Sequence, residues 1–347
     1  MKIVVHIESG LGNQMLSYCE LLAMRQMNPD ADCYVETMVY DIPECNDVIC
    51  QWNGFELADI FHIDAPNVRE LFDESRWQQL LGEVRKSAFW LKNWNYPVYF
   101  TQAFSHVGLP LQNFCGDFEA PGELRKTTVG LAKYRQSKAY LYIRYLKRKL
   151  LNQQPAVRED YASELFQHVE RDVFAGQKLL FKYRNSGIER LESEIRSAFV
   201  FPAIDDERNA ALMEEIGQTN SVAIHARRGD MLSYNFDCYA GGYFKRSIRY
   251  IRQHVSNPVF YIFCDSDSIE WARRNSRIFG LNFKKDTVRF VDWNTGRNSW
   301  RDMQLMAACK HQVVTRSSFG WWAAWLNTNP EKITCSPDLR INTTHHF

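Results

Sequence analysis

Short apolar runs that end in a polar, glycine-bearing turn and lead into a helical pattern recur along this chain, and that alternation limits what it can fold into. The first run is KIVVHI at residues 2–7, followed by ESGLGNQ and the helix-like MLSYCELLAMRQM. DADCYVET supplies a second strand pattern. In the C-terminal half the rhythm returns as SVAIHA, PVFYIFCD, VRFVDW, HQVVTR and KITCS, separated by helical stretches such as GGYFKRSIRYIRQHV, RDMQLMAACK and GWWAAWL. Strands alternating with helices predict α/β domains of Rossmann type. The middle of the chain carries three helical patterns instead, over Val129–Leu151, Ala162–Phe174 and Ile188–Phe199. No fixed-period repeat and no low-complexity linker is present. The 347 residues suit two domains of roughly 150 residues each, with the boundary near 195–205.

Charge and cysteine usage narrow the function classes. A formal net charge of +1 argues against a general nucleic-acid binder. The nine cysteines include no CxxC pair, which fits a reducing cytosol better than a disulfide framework or a zinc site. The N-terminal apolar run is too short and too polar for a signal peptide, and no stretch of about 18 apolar residues occurs. The expectation is a soluble, cytoplasmic protein.

Four turns carry candidate chemistry. GLGNQM, Gly10 to Met15, sits between strand and helix, where tight glycine turns and free helix amides can meet an anion. Met15 stands where a dinucleotide fingerprint has its third glycine, so a purely structural turn is the plainer reading beside that of phosphate proximity. Glu36, near the end of the second strand, could take the place of a ribose-binding acid. HARRGD, His225 to Asp230, delivers Arg227 and Arg228 at the end of a buried strand, the edge where open α/β sheets bind ligands. Arginine forks suit phosphate; the plainer reading pairs one arginine with Asp230 and leaves the other solvated. CDSDS places Asp265 and Asp267 after the next strand. A metal-binding Asp-x-Asp and simple helix capping by Ser266 or Asp267 are both open there, and Asp265 suits a base edge. TRSSFG sets Ser317 and Ser318 at a helix start, to hold phosphate oxygens or to cap. Trp321, Trp322 and Trp325 behind them read as core.

Taken in order, GLGNQM, HARRGD, FYIFCDSDSIEW, DMQLMAACKHQVV and SSFGWWAAWLN resemble the bacterial α-1,2-fucosyltransferases, glycosyltransferase family 11. The likeness covers roughly the first 25 residues and most of 188–337, with a weaker echo in GDFEAPGEL. It implies a GT-B-like fold of two Rossmann-type domains facing a cleft. Residues 1–195 would form the acceptor-side domain, with a helical insertion at about 125–187, and 196–347 the donor domain. It further implies inverting transfer of L-fucose from GDP-fucose to a glycan hydroxyl, by family default O-2 of a terminal galactose. The setting would be surface polysaccharide, O-antigen or oligosaccharide synthesis, with no cofactor and no metal. By the same likeness Arg227, supported by Arg228 and Asp230, would grip the diphosphate. His225 and Asp265 would lie near the guanine or ribose, and Ser317, Ser318 and Phe319 near the phosphates. Asn13 would approach the reacting centre, and Gly12 would belong to the donor site. Met231 in place of an aromatic residue, CDSD, and Arg316 in place of an asparagine depart from the family pattern and bear on acceptor choice.

Residues 125–158 hold ten Lys/Arg and no acid, with Tyr134, Tyr140, Tyr142 and Tyr145 interleaved. They read either as a solvated helix face or as a peripheral contact with an anionic membrane, which would suit a lipid-linked acceptor. Outside the transferase class stand a nicotinamide enzyme built on Glu36 and a non-catalytic nucleotide- or glycan-binding protein.

Overall fold

The computed structural model describes residues 1–45, 53–91, 97–114, 137–151, 157–176 and 178–347. The described residues form two units, one from Met1–Lys126 with Arg158–Pro202, the other from Thr127–Val157 with Ala203–Phe347. Both are α/β with an all-parallel sheet, as the strand–helix alternation requires.

The first unit holds β1 (Lys2–His6), β2 (Asp32–Glu36), β3 (Gln112–Asn113) and β4 (Val173–Ala175) in the order β2-β1-β4-β3. β1 pairs in register with β2 from Lys2–Asp32 to His6–Glu36. Helix α1 (Leu11–Met27) follows β1 through the GLG turn. Ser9 takes a left-handed φ of 65° there. Gln14 fixes that turn from inside: its Nε2 donates to the carbonyls of Ser9 and Gly54, and its Oε1 accepts from the Glu56 amide, each at 2.8 Å. The glycine-rich motif therefore has a structural task, tying the turn to the 54–56 segment.

β4 corrects the expectation of a helix over Ala162–Phe174. The helix stops at Leu165, and Val173–Ala175 joins the sheet. A three-residue strand is too short to show a period, and its burial on both faces erases the alternation that would mark it. Gly176, at φ 105°, closes the strand against β1, where a Cβ would lie 2.3 Å from the His6 carbonyl oxygen.

The second unit holds β5 (Asn220–Ala226), β6 (Pro258–Cys264), β7 (Val288–Val291), β8 (His311–Val314), β9 (Thr334–Ser336) and β10 (His345–His346), ordered β10-β9-β8-β5-β6-β7. β5 is central, and Ser221–Ala226 are all buried, so its sequence lacks polar alternation. One core joins Val222, Ile224, Phe244, Ile248, Phe260 and Ile262. The helical pattern over Val129–Leu151 appears as α2 (Lys138–Leu150); its earlier residues up to 136 lie outside the described ones. α2 packs on α3 (Leu232–Ala240), so the basic helix belongs to the second unit and not to the first, where the sequence had placed it. The units divide after Pro202.

Candidate functional site

β5 and β8 are neighbours, so the loops that leave their carboxyl ends meet. The first loop carries Arg227 and Arg228. Arg227 Nη1 pairs with Asp265 Oδ1, and its Nη2 lies 2.9 Å from Asp230 Oδ1. The backbone amide of Arg228 donates to Asp265 Oδ2 at 2.7 Å. The Arg228 guanidinium lies over the Trp271 ring, 4.4 Å from its centroid. Neither arginine is simply solvated. Asp265 acts as the brace that ends β6 and fixes the arginine loop, and Gly229 lets the loop come close: a Cβ there would stand 3.3 Å from Asp265 Oδ2.

Neither Ser266 nor Asp267 holds an N-cap position after β6; Asp265 and Ser268 do. Asp265 precedes the short 3₁₀ turn Ser266–Ser268 without a side-chain cap, and Asp267 Oδ1 accepts from the Ser268 hydroxyl at 2.9 Å.

The second loop leads into α4 (Ser318–Leu326). Ser317 occupies the N-cap in extended backbone, yet its side chain makes no capping bond, which sets aside the reading of this serine as a cap alone. Trp321 and Trp322 are buried, as expected of core. Phe319 lies 5.9 Å from the His225 ring, centroid to centroid. Gly320 meets the same ring so closely that a Cβ would be 2.3 Å from His225 Nδ1.

His225 is buried, and its Nδ1 makes no hydrogen bond among the described residues. Burial, with the Arg227 charge added, pushes the imidazole down to about 3, so the ring is neutral at physiological pH. A neutral ring beside an arginine adds polarity without repelling it, and its ring nitrogen faces the first turn of α4.

Two residues that hold this arrangement together escaped sequence analysis. Asn235, fully buried on α3, donates to the carbonyls of Arg227 (3.1 Å) and Arg316 (3.3 Å) and accepts from the Arg316 amide at 2.9 Å. Thr315 Oγ1 accepts from the Arg227 amide at 3.0 Å. One asparagine and one threonine thus stitch the two loops. Only their placement beside charged motifs signals them; nothing in their own spacing does. Arg316, the departure from the family pattern, grips Asp237 through both carboxylate oxygens at 2.6 and 2.9 Å and so anchors α3.

His225, Arg227, Arg228, Asp230, Asp265, Ser317, Ser318 and Phe319 all fall at this edge of the second sheet. Gly12 and Asn13 lie in the first turn of α1, in the first unit. Glu36 is fully buried and its carboxylate is engaged by His6 Nδ1 and the Met38 amide, an inward-facing environment that does not suit a ribose-binding acid. That removes the residue on which a nicotinamide enzyme would depend. Among the described residues no helix is long and apolar enough to cross a membrane.

A family model described as glycosyl transferase family 11 matches residues 128–338, more than half of the chain. An α-1,2-colitosyltransferase from Escherichia coli is 36% identical over 154 residues, covering 42% of this chain and 50% of that protein. Galactoside alpha-(1,2)-fucosyltransferase 1 of Saimiri sciureus is 28% identical over 148 residues, covering 39% of this chain and 38% of that protein. The matched part therefore spans half or less of these relatives. Among solved structures, NodZ alpha-1,6-fucosyltransferase co-crystallised with GDP superposes with a TM-score of 0.46 at 13% identity, over 99% of this chain and 98% of that one.

Proposed function

The chain belongs to glycosyl transferase family 11, and from that premise we propose that it moves L-fucose from GDP-fucose to a glycan hydroxyl, O-2 of a terminal galactose, with inversion at the sugar carbon. One observation carries this reading: an arginine pair and a neutral histidine are fixed beside a helix N-terminus at the carboxyl edge of a parallel sheet.

Breaking the bond between fucose and GDP leaves charge on the β-phosphate while the sugar ring gains positive character. Stabilising that leaving group is the main electrostatic demand of the reaction. Arg227 and Arg228 supply fixed positive charge, and the first amides of α4 supply donors that point outward from the helix. His225, neutral and buried, adds a ring nitrogen to the diphosphate or ribose. Asp230 and Asp265 hold Arg227 rigid before the donor arrives, which lowers the entropy cost of binding. Asn13 is proposed to act near the reacting centre and Gly12 in donor binding. Chemistry of this kind needs no metal, so transfer should persist in EDTA.

A second donor sugar is favoured by one finding, the higher identity to the α-1,2-colitosyltransferase. Nucleotide-activated colitose and GDP-fucose should therefore be compared in the same transfer assay, against β-galactoside acceptors. Arg227→Ala should cost about 10- to 150-fold in transfer, the loss expected of a charge-assisted hydrogen bond. Near-normal turnover in a folded variant would remove Arg227 from this role. The unpatterned cysteines, free thiols at all seven positions among the described residues, support a cytoplasmic setting.

A further inference from the structure

Most large apolar side chains in this protein are inside it, but one ten-residue stretch is not. Tyr142, Ile143, Leu146, Leu150 and Leu151 account for five of the eleven exposed large hydrophobic side chains among the described residues. Ile143 is 60% exposed and Leu150 84%. Such clustering differs from the single exposed apolar residues found on any protein surface.

The helical period explains which face this is. On α2, Leu141 is buried and Tyr145 lies against Gly241, where a Cβ would stand 3.3 Å from its ring. Leu141, Tyr145 and Arg148 follow an i, i+4, i+7 spacing, and this face lines a crevice with Ser233, Phe236 and Asp237 of α3. Ala139, Ile143, Leu146 and Leu150 repeat the same spacing on the opposite side, turned to solvent. Lys147 and Lys149 border that stripe and are exposed, and the helix contains no Asp or Glu.

We infer that this outer face of α2 docks the protein in the plane of an anionic lipid bilayer, the apolar stripe entering the headgroup boundary and the lysines meeting lipid phosphates. Charge selects this occupant. A second copy of the chain on a two-fold axis would bring the same lysines against themselves without an acid to answer them. A nucleic acid would meet cations but leave the apolar stripe uncovered. The inference does not depend on the donor, and an acceptor carried on a lipid would be brought to the same surface.

The test is co-sedimentation of the full chain, without nucleotide, with phosphatidylcholine vesicles containing or lacking phosphatidylglycerol. Wild type should sediment with the anionic vesicles and be released by high salt. Ile143→Glu with Leu146→Glu should abolish sedimentation, and Lys147→Gln with Lys149→Gln should weaken it about 30-fold, at roughly a tenfold or less per charge. The thermal unfolding transition followed by circular dichroism should be unchanged in both variants and so shows that they fold. Absence of binding, equal binding to neutral vesicles, or variants that sediment like wild type would overturn the inference. So would a dimer in light scattering that the apolar variant dissociates.

Discussion

Each unit carries a histidine at or next to the end of its first strand, and the two are held in opposite states. His6, the last residue of β1, sits between carboxylates: its Nδ1 pairs with Glu36, and its Nε2 lies 3.5 Å from Glu8 Oε2. Burial opposes its charge, yet Glu36 and Glu8 outweigh burial and lift the imidazole to about 9. His225, near the end of β5, has an arginine for its charged neighbour and is pushed down to about 3. Strand, burial and residue type are alike; the partners alone differ. A histidine clamped between acids closes a core, whereas a neutral one with an uncommitted ring nitrogen leaves a polar atom for something else to meet.

The largest effect that can break this comparison is in the pH dependence of stability. A raised histidine stabilises the fold fully below its unfolded value of 6.5, and that contribution is lost as pH rises through about 9. The first unit should therefore lose on the order of 3 kcal/mol across that window. Native-state hydrogen exchange in β1 measures it. His6→Gln should be destabilised at pH 6 and nearly flat to pH 9; a wild-type slope in the variant would assign the dependence to another group. The second unit should behave in the reverse sense. A depressed histidine leaves stability intact above 6.5 and costs it as pH falls from 6.5 towards 3, so β5 should open first in acid. If both units weaken in the same direction, the two histidines are not in opposite states.

A smaller effect comes from Gly320→Ala. The added Cβ would collide with His225 Nδ1, and overpacking of this kind costs about 1–3 kcal/mol. It should also displace the histidine and weaken GDP binding, which isothermal titration would read. Unchanged affinity would mean that the ring does not face the ligand. Asn235→Ala should cost about 1–2 kcal/mol by unpairing backbone groups in two loops. It should lower GDP affinity by loosening Arg227, without altering the alkaline slope of the first unit.

Much of this was legible in the chain. β1, β2 and β5 to β9 stand out because each is an apolar run bounded by turns, and HARRGD and TRSSFG converge because the strands before them are neighbours. β3 and β4 were not legible, since two and three residues carry no period. The partnership of His6 with Glu36 was also hidden. It depends on the register of β1 with β2, which brings together residues 30 apart, and the same glutamate reads plausibly as a ribose ligand until that register is known. Asn235 shows the general difficulty. Its weight comes from bonding two loops, to groups 8 and 81 residues away, and no local pattern marks such a residue. The basic helix was legible as charged, but the unit it packs against was not.

Thermal stabilisation by GDP, UDP and NAD, each with and without EDTA, on wild type and Arg227→Ala, tests the donor site most directly. The expected result is stabilisation of wild type by GDP alone, insensitive to EDTA and lost in Arg227→Ala. Stabilisation by UDP or NAD instead, or the same GDP response in the variant, would contradict it.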